Sequence, residues 1–173
     1  MSKESQITLE RVKESELEAF KQDLQESFSM AVIETFGSID DGPIPSDDEI
    51  EESFKAPGAA IYHILSDGRR VGGVVVCIDV KTQHNSLELL FIMKGEGGKG
   101  IGFKAWNVIE KTYPETKVWE TFTPTFEKRN IHFYVNKCGF KIVEYLSEKY
   151  HCQEEDGGLP GGEDFFRFEK VMK

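Results

Sequence analysis

Apolar residues recur with a helical period in some parts of the chain and alternate with polar residues in others. Residues 7–12 alternate apolar and polar positions, which predicts a first strand. The following segment has a helical period, and its apolar face is formed by Leu17, Phe20, Leu24 and Phe28. Gly37 predicts the end of this helix, because glycine commonly adopts the left-handed conformation just beyond a helix C-terminus.

Two Ser-x-x-Glu patterns predict where helices begin. In such a capping box the serine hydroxyl and the glutamate carboxylate each accept one of the backbone N–H groups at the helix start. Ser15 and Glu18 predict the start of the first helix. Ser46 and Glu49 predict the start of a second, a short acidic helix that runs through about Phe54. The N-terminal part of the chain therefore predicts the order strand, helix, helix.

From residue 59 onwards the pattern is that of strands with two intervening helices. Residues 59–65 and 71–80 are two predicted strands around Asp67-Gly68, a dipeptide typical of a hairpin turn. Residues 86–93 are nearly all apolar, as expected for a central strand that is covered on both faces. The remaining predicted elements are helices over 103–113 and 126–138 and strands over 117–122, 140–146 and 165–171.

Length and composition place the chain among globular proteins. Its 173 residues, 39% of them apolar, fit a single domain over 1–173 and exclude a collagen-like, disordered or small disulfide-stabilised protein. The longest apolar run, residues 71–78, is far shorter than the ~20 residues of a membrane-spanning helix, and the first residues lack the apolar core of a signal peptide. The cytoplasm is therefore the expected location, with no membrane partner.

The net charge of −10 is concentrated near the N-terminus. Residues 1–60 hold 15 Asp and Glu against five Lys and Arg, whereas residues 94–141 hold nine Lys and Arg against five Glu. The acidic balance disfavours nucleic acid as a partner, while the basic segment can dock an anionic ligand. The acidic N-terminal third suits a cationic partner such as an amine, or is only the charged surface of solvated helices.

A glycine-rich segment, residues 95–102, carries the strongest chemical signal. Glycines admit positive φ, and a helix N-terminus attracts phosphate oxygens with its backbone N–H groups. The Walker loop does not fit, since Gly98-Lys99 is followed by glycine rather than serine or threonine. The dinucleotide pattern Gly-x-Gly-x-x-Gly is present over 95–100 with Glu120 further on, although that motif normally opens its fold and here helices and strands precede it.

Two motifs resemble those of the GNAT N-acetyltransferase superfamily. Residues 97–102, Gly-Gly-Lys-Gly-Ile-Gly, resemble the family's Arg/Gln-x-x-Gly-x-Gly/Ala loop, which follows an apolar fourth strand. Residues 129–140 resemble its late helix and Tyr-x-x-x-x-Gly-Phe signature, here Tyr134, Gly139 and Phe140. The predicted element order is also similar. The resemblance implies an α/β (α+β) fold in which a mixed, mostly antiparallel sheet of about seven strands is flanked by four helices, in the order β-α-α-β-β-β-α-β-α-β-β.

The resemblance also implies which residues bind acetyl-CoA, the expected cosubstrate. The backbone at the end of the fourth strand would pair with the pantetheine arm through Phe91, Ile92 and Met93. Backbone N–H groups of the loop would hold the pyrophosphate, and these belong to Gly97, Gly98, Lys99, Gly100, Ile101 and Gly102. Gly97 stands where the loop usually has Arg or Gln, and the missing charge is either supplied by Lys94, Lys99 or Lys104 or absent, in which case these are ordinary surface lysines. Asn130 corresponds to the asparagine at the start of the late helix, although it lies nearer the tyrosine than in the family.

Three residues are candidates for proton transfer. Tyr134 falls where the family often has the general acid that protonates the departing thiolate, although without the spacing to Gly139 a core tyrosine would be the simpler interpretation. A base must take a proton from the attacking amine. Glu120 is favoured, because apolar neighbours in its strand would make the carboxylate more basic. Glu88 is the second choice, and either glutamate could instead be a solvent-facing or ion-paired strand residue.

Histidines and cysteines are weaker candidates. His84 and His132 could also act as bases, but lone histidines are more often structural. The three cysteines, Cys77, Cys138 and Cys152, form no Cys-x-x-Cys pair, so that neither a disulfide framework nor a metal site is expected.

These observations predict an acyl-CoA-dependent N-acetyltransferase that acts on a primary amine of a small molecule or peptide by direct attack. Two alternatives stay open, a non-catalytic acyl-CoA-binding or sensor module and a dinucleotide-binding protein. The resemblance implies that the N-terminal helices and the loop over 157–162 form the walls of the acceptor pocket. The sequence does not identify the amine, and it is compatible with a monomer or a homodimer.

Overall fold

The computed structural model of the protein describes residues 6–36, 46–93, 95–96, 100–125, 127–147 and 164–172. Within these ranges the chain forms seven strands and four α-helices in the predicted order. The strands are β1 Ile7–Arg11, β2 Ala59–Ser66, β3 Arg69–Cys77, β4 His84–Ile92, β5 Val118–Pro124, β6 Lys141–Leu146 and β7 Phe165–Val171. The helices are α1 Leu17–Phe36, α2 Asp47–Lys55, α3 Ile101–Thr112 and α4 Lys128–His132. The predicted helix end at Gly37 and the loop over 157–162 lie outside the described residues.

All seven strands join one mixed sheet in the order β1-β2-β3-β4-β5-β7-β6. Neighbouring strands are antiparallel except β4 and β5, which run parallel. This arrangement confirms the predicted fold class. It shows that the dinucleotide-binding alternative is wrong, because that fold needs a parallel sheet with Glu120 at a ribose. Here Glu120 lies opposite Glu169 of an antiparallel neighbour.

The predicted hairpin between β2 and β3 forms at Asp67-Gly68. Both residues have positive φ, 51° and 83°, as a tight two-residue hairpin turn of type I′ requires. β3 ends at Cys77, before the predicted end at residue 80. The chain turns there because the Asp79 carboxylate accepts the backbone N–H groups of Lys81 at 3.0 Å and Thr82 at 3.2 Å.

The start of the first helix differs from the capping box predicted at Ser15. A 3-10 turn, Glu14–Glu16, precedes α1, and its N-cap is Lys13. The Glu16 carboxylate accepts the Lys13 backbone N–H at 3.0 Å, a bond that lowers the pKa of Glu16 to about 2. The prediction is wrong because a glutamate satisfies the N–H group at the helix start, two residues earlier and without a serine hydroxyl.

The second helix begins as predicted, at Ser46. The Ser46 hydroxyl accepts the backbone N–H of Glu49 at 3.3 Å. α2 is also tied to α1 by Lys21, whose side chain is only 8% exposed. The Lys21 ammonium lies 3.7 Å from Glu51 and 3.9 Å from Asp47, both in α2. The ion pairs hold the two N-terminal helices together over the sheet.

Replacing Ser46 with alanine should lower the free energy of unfolding by about 1 kcal/mol, because the Glu49 N–H loses its acceptor. Urea denaturation measures this loss. Ser53→Ala is the matched control, since the Ser53 hydroxyl only donates to the Glu49 carbonyl within the same helix, at 3.2 Å, and alanine favours helix. An equal loss of stability in both variants would contradict the capping role of Ser46.

The sheet separates two groups of buried side chains. On the face covered by α3 and α4 the largest are Trp106, Trp119, Phe140 and Phe168. On the opposite face, α1 and α2 bury Phe20, Leu24 and Ile50 against Val75 and Phe91 of the sheet. Since α1 packs on β3 and β4, it lies next to the place where β4 meets β5.

Two negative findings hold for the described part of the chain. None of its helices combines the length and the apolar character needed to cross a membrane. No three His, Cys, Asp or Glu side chains in it are grouped so that they could hold a metal ion.

Candidate active site

The parallel strands β4 and β5 pair over three residues and then separate. His84, Asn85 and Ser86 of β4 lie opposite Val118, Trp119 and Glu120 of β5. β4 stays paired with β3 as far as Ile92, and β5 with β7 as far as Pro124, but beyond Ser86 and Glu120 the two strands have no Cα partners in each other. We call the resulting gap, between residues 87–92 and 121–124, the β4–β5 split.

The backbone of β4 presents a free edge to the split at every second residue. Met93 donates its N–H to the Val71 carbonyl at 2.8 Å, and its own carbonyl accepts from Glu96 at 3.0 Å. The Met93 N–H therefore already has an acceptor within the protein, and the pairing of the pantetheine arm with Phe91, Ile92 and Met93 stays a prediction. In an antiparallel ladder the hydrogen-bonding direction alternates. Since Met93 bonds to β3, so does Phe91, and Ile92 turns its N–H and C=O toward the split.

A cleft of about 290 Å³ opens along the split. Five of the residues predicted from the sequence line it, namely Phe91, Ile92, Gly102, Asn130 and Tyr134. Other lining residues are Ser27 and Phe28 of α1 and Arg129 and Phe133 near the late helix. The cleft is therefore bounded by α1 on one side of the sheet and by α3 and α4 on the other.

The N-terminus of α3 lies beside this cleft and begins at Gly100. Gly100 has a φ of 72°, a left-handed conformation that favours glycine, and no described atom outside the adjacent chain lies within 4 Å of the position a Cβ would take. Among the residues that the structure describes, no side chain caps the helix, and its first turn holds no acidic residue. The helix dipole and backbone N–H groups at this end therefore suit an anionic group. The Ile101 side chain is buried in the core, so that only its backbone could contact such a group.

Part of the predicted phosphate loop cannot be placed. Gly97, Gly98 and Lys99 lie outside the described residues, as does Lys94. At the other end of the loop, Gly102 lets α3 approach α4 closely, because a Cβ there would lie 3.3 Å from the ring of Phe133.

Tyr134 lies on a π-helical turn, Phe133–Lys137, that continues α4. The Cys138 N–H donates to the Phe133 carbonyl, five residues earlier, at 2.9 Å, so this turn is wider than an α-helical turn. The predicted helix over 126–138 is thus confirmed from residue 128, position 126 being outside the described residues. Gly139 then reverses the chain with a φ of 86°.

The Tyr134 side chain is buried among aromatic rings and is only 6% exposed. The ring centroids of Phe133, Phe140 and Phe168 lie 5.4, 5.7 and 5.6 Å from its own. Burial raises the pKa of Tyr134 above its ordinary value, because a phenolate would lose its solvation. The hydroxyl therefore keeps its proton at neutral pH and can act as a general acid toward a group in the cleft.

The two candidate bases lie together on the opposite face of the sheet. Glu120 is the Cα partner of Ser86, and the Ser86 hydroxyl donates to the Glu88 carboxylate at 2.6 Å. Side chains alternate along a strand, so Glu120 and Thr121 point to opposite faces. The Thr121 side chain partly offsets the effect of burial on Tyr134 and lowers its pKa. Tyr134 lines the cleft, whereas Glu120 and Glu88 do not; the two carboxylates lie where the pairing of β4 and β5 ends, on the other face of the sheet.

The apolar surroundings predicted for Glu120 are not found. Its side chain is 36% exposed, and its carboxylate lies 3.8 Å from the Arg167 guanidinium. Arg167 also contacts Glu144 at 2.8 Å and Glu169 at 2.7 Å, so that three carboxylates share one cation. β7 brings Arg167 to this place, and no local pattern around Glu120 reveals it.

Neither the candidate histidines, His84 and His132, nor the two described cysteines line the cleft. His84 and His132 are exposed. Burial raises the pKa of Cys77 to about 11 and that of Cys138 to about 12. Both therefore stay protonated at neutral pH and are poor nucleophiles. Cys152 lies outside the described residues.

The sequence matches a known family over the region that builds this site. The model of the acetyltransferase (GNAT) family matches residues 17–140. The chain belongs to the GNAT family. The uncharacterized protein YrkN of Bacillus subtilis is 54% identical to this GNAT chain over 177 residues, which cover 98% of the chain and 96% of YrkN.

Solved acetyltransferase structures share the GNAT fold described above. A Bacillus subtilis acetyltransferase in complex with CoA matches with a TM-score of 0.68 and 17% identity, covering 98% of this chain and 99% of that one. Spermidine N-acetyltransferase from Vibrio cholerae, in complex with CoA and spermine, matches with a TM-score of 0.70 and 16% identity, covering 96% and 95%. At these identities the likeness shows the fold.

Several lining residues of this GNAT cleft are missing from the sequence-based candidates. Phe28 belongs to an apolar helix face, which indicates core rather than a cleft wall, and Ser27 carries no motif at all. Arg129 and Phe133 are better signalled, because they flank Asn130 and Tyr134 in the late-helix motif. A charged and an aromatic residue at these positions could have been proposed as ligand contacts.

Proposed function

We propose that this GNAT protein transfers the acetyl group of acetyl-CoA to a primary amine of a small molecule or peptide by direct attack. The observation that carries the proposal is the β4–β5 split. At its inner end, where the pairing of the two strands stops, the protonated Tyr134 lies on one face of the sheet and the Glu120 and Glu88 carboxylates lie on the other. CoA in the two solved structures named above supports the choice of donor.

The donor would bind along the split and across the start of α3. The backbone of Ile92 is oriented to pair with the pantetheine arm, as an added strand would. The uncapped N-terminus of α3 at Gly100 suits the pyrophosphate, and Arg129 and Asn130 line the same cleft. Bound in this way, the donor would have its thioester near Tyr134.

The transfer would use the two faces of the split. Glu120 removes a proton from the ammonium form of the amine, and the nitrogen then attacks the thioester carbon from the carboxylate face. The C–S bond then breaks as Tyr134 gives its proton to the departing sulfur, and the positively charged nitrogen of the intermediate loses its second proton to water. This leaves CoA thiol and the acetylated amine, after which Glu120 releases its proton to water and Tyr134 regains one from it. A backbone N–H on the free edge of β4 would stabilise the oxyanion between these steps.

Glu120→Gln is expected to lower kcat/KM for the amine by about 100-fold at neutral pH, because the amide cannot accept the proton. Glu144→Gln is the matched control, since Glu144 contacts the same Arg167 at 2.8 Å but lies on β6, and it should have little effect. A larger loss in Glu88→Gln than in Glu120→Gln would assign the base to Glu88. Full activity in both variants would contradict the assignment of a carboxylate base.

Thermal unfolding with acetyl-CoA and with NAD tests the donor. A ligand at 100 times its dissociation constant stabilises a protein by about 2.7 kcal/mol, so acetyl-CoA should raise the melting temperature and NAD should not. No shift with acetyl-CoA would contradict the proposal. A shift without CoA release from any amine would indicate the non-catalytic binding or sensor module instead.

A further inference from the structure

Thr121 lies at the inner end of the β4–β5 split, where the pairing of the two strands stops. It is 2% exposed, and its hydroxyl donates to the Leu87 carbonyl at 2.9 Å. The last Cα partners before it are Ser86 and Glu120. Among the described hydrogen bonds, this one therefore marks the end of the contact between β4 and β5, and a side chain makes it instead of the backbone.

β4 is irregular at the same place. Val76 of β3 pairs with Leu87, but Val75 pairs with Leu89, so that Glu88 is an extra residue in β4. Such a bulge bends a strand and disrupts its ladder locally. The bond from Thr121 to Leu87 thus anchors β5 to the residue just before the bulge, and losing it would let the start of the split shift.

Thr121 also lies next to Tyr134, the proposed proton donor. Its side chain lies close enough to Tyr134 to lower the pKa of the phenol, against the larger effect of burial, and its Cα partner Phe168 in β7 packs against the Tyr134 ring, with centroids 5.6 Å apart. A threonine hydroxyl has one proton and two lone pairs. After rotation away from the Leu87 carbonyl, the Thr121 hydroxyl can donate its proton to the Tyr134 oxygen, which leaves the tyrosine's own proton available for the departing sulfur.

We propose that Thr121 is a positioning residue for acetyl transfer, which fixes where the split begins and orients the Tyr134 hydroxyl toward the thioester. The inference rests on the proposed function. As CoA leaves, the Tyr134 O–H bond breaks and the S–H bond of CoA forms. The Thr121 hydroxyl then turns its proton from the Leu87 carbonyl to the phenolate oxygen. Water returns a proton to Tyr134 after CoA has left, and the Thr121 hydroxyl turns back.

The test compares Thr121→Val with two related variants, using acetyl-CoA and the best of spermine, kanamycin and a glycyl peptide as acceptor. Thr121→Val should lower kcat by about 10-fold, the value of one hydrogen bond, with little change in the KM for acetyl-CoA. Thr121→Ser keeps the hydroxyl and should restore most of the rate. Thr123→Val is the matched control, since Thr123 is also 2% exposed and lies on the same face of β5.

Combination with Tyr134→Phe separates positioning from a general structural effect. If Thr121 acts through Tyr134, adding Thr121→Val to Tyr134→Phe should cause little further loss, because coupled residues are not additive. An equal 10-fold loss in the Tyr134→Phe background, or an equal loss in Thr123→Val, would overturn the proposal.

A second readout does not depend on turnover. Amide hydrogen exchange over residues 121–124 should be faster in Thr121→Val than in Thr123→Val, because the bond to Leu87 is lost. Unchanged exchange would overturn the proposal as well. If the wild type releases no CoA with any of these amines, the proposed function fails, and the exchange measurement still decides whether Thr121 ties β5 to β4.

Discussion

Tyr134→Phe is expected to lower kcat by about 100-fold, because the departing thiolate loses its proton donor. The KM for acetyl-CoA should change little, since the phenylalanine ring still fills the space among Phe133, Phe140 and Phe168. Burial raises the pKa of Tyr134, so the wild-type rate should not fall through loss of this proton below about pH 10, the ordinary tyrosine value. Steady-state kinetics of CoA release, measured across pH, check both points.

Tyr113→Phe is the matched control for this variant. Burial raises the pKa of Tyr113 as well, but its hydroxyl lies 2.5 Å from that of Tyr62, and Tyr113 does not line the cleft. It should therefore keep nearly full activity. Equal losses of kcat in Tyr113→Phe and Tyr134→Phe would show a general effect of removing a phenol hydroxyl. An unchanged kcat in Tyr134→Phe would show that Tyr134 is not the general acid.

Gly73→Val should lower the free energy of unfolding by about 3 kcal/mol, the upper part of the usual range for overpacking a core. Gly73 lies in the middle of β3 and faces α1. A Cβ there would come within 2.2 Å of the Phe20 ring and 2.6 Å of the Phe91 ring. Since Phe91 also lines the cleft, acetyl-CoA binding should weaken too. Urea denaturation and thermal shift with acetyl-CoA measure the two effects.

A graded series tests the steric cause. Gly73→Ala should be destabilised less than Gly73→Val, because it adds a single carbon. Phe20→Leu in the Gly73→Val background should recover part of the stability, since the smaller side chain makes room for the new one. A Gly73→Val variant as stable as the wild type would contradict the close packing of Phe20 on β3.

Features that depend on a few consecutive residues could be predicted well. The Asp67-Gly68 hairpin and the Ser46 cap follow from local backbone and hydrogen-bond chemistry, and both are found. The start of the first helix shows the limit of such reasoning. Ser15 fits a capping box as well as Ser46 does, yet the helical segment begins after Lys13, whose N–H donates to the Glu16 carboxylate. The sequence permits both a cap at Ser15 and a hydrogen bond from the Lys13 N–H to Glu16, and it does not indicate which of the two forms.

The site residues show the same difference between local motifs and contacts that are distant in the sequence. Gly100, Asn130 and Tyr134 could be predicted because they belong to compact motifs, and the structure places the last two in the cleft, next to the helix that Gly100 caps. The neighbours of Glu120 could not be predicted, because the pairing of β5 with β7 is what brings Arg167 next to it. The tie from Thr121 to Leu87 is equally non-local. Contacts between distant strands depend on register, which the hydrophobic pattern alone does not specify.

The most direct test of acetyl transfer is one turnover measurement with the purified chain. Acetyl-CoA is mixed with spermine, kanamycin, free amino acids or a peptide with a free N-terminus, and both free CoA and the acetylated amine are quantified. The proposal predicts equal amounts of CoA and N-acetyl product with at least one amine, at a rate that depends on Tyr134. Binding of acetyl-CoA with no acetylated amine in any mixture, or product formation that is unaffected by Tyr134→Phe, would contradict it.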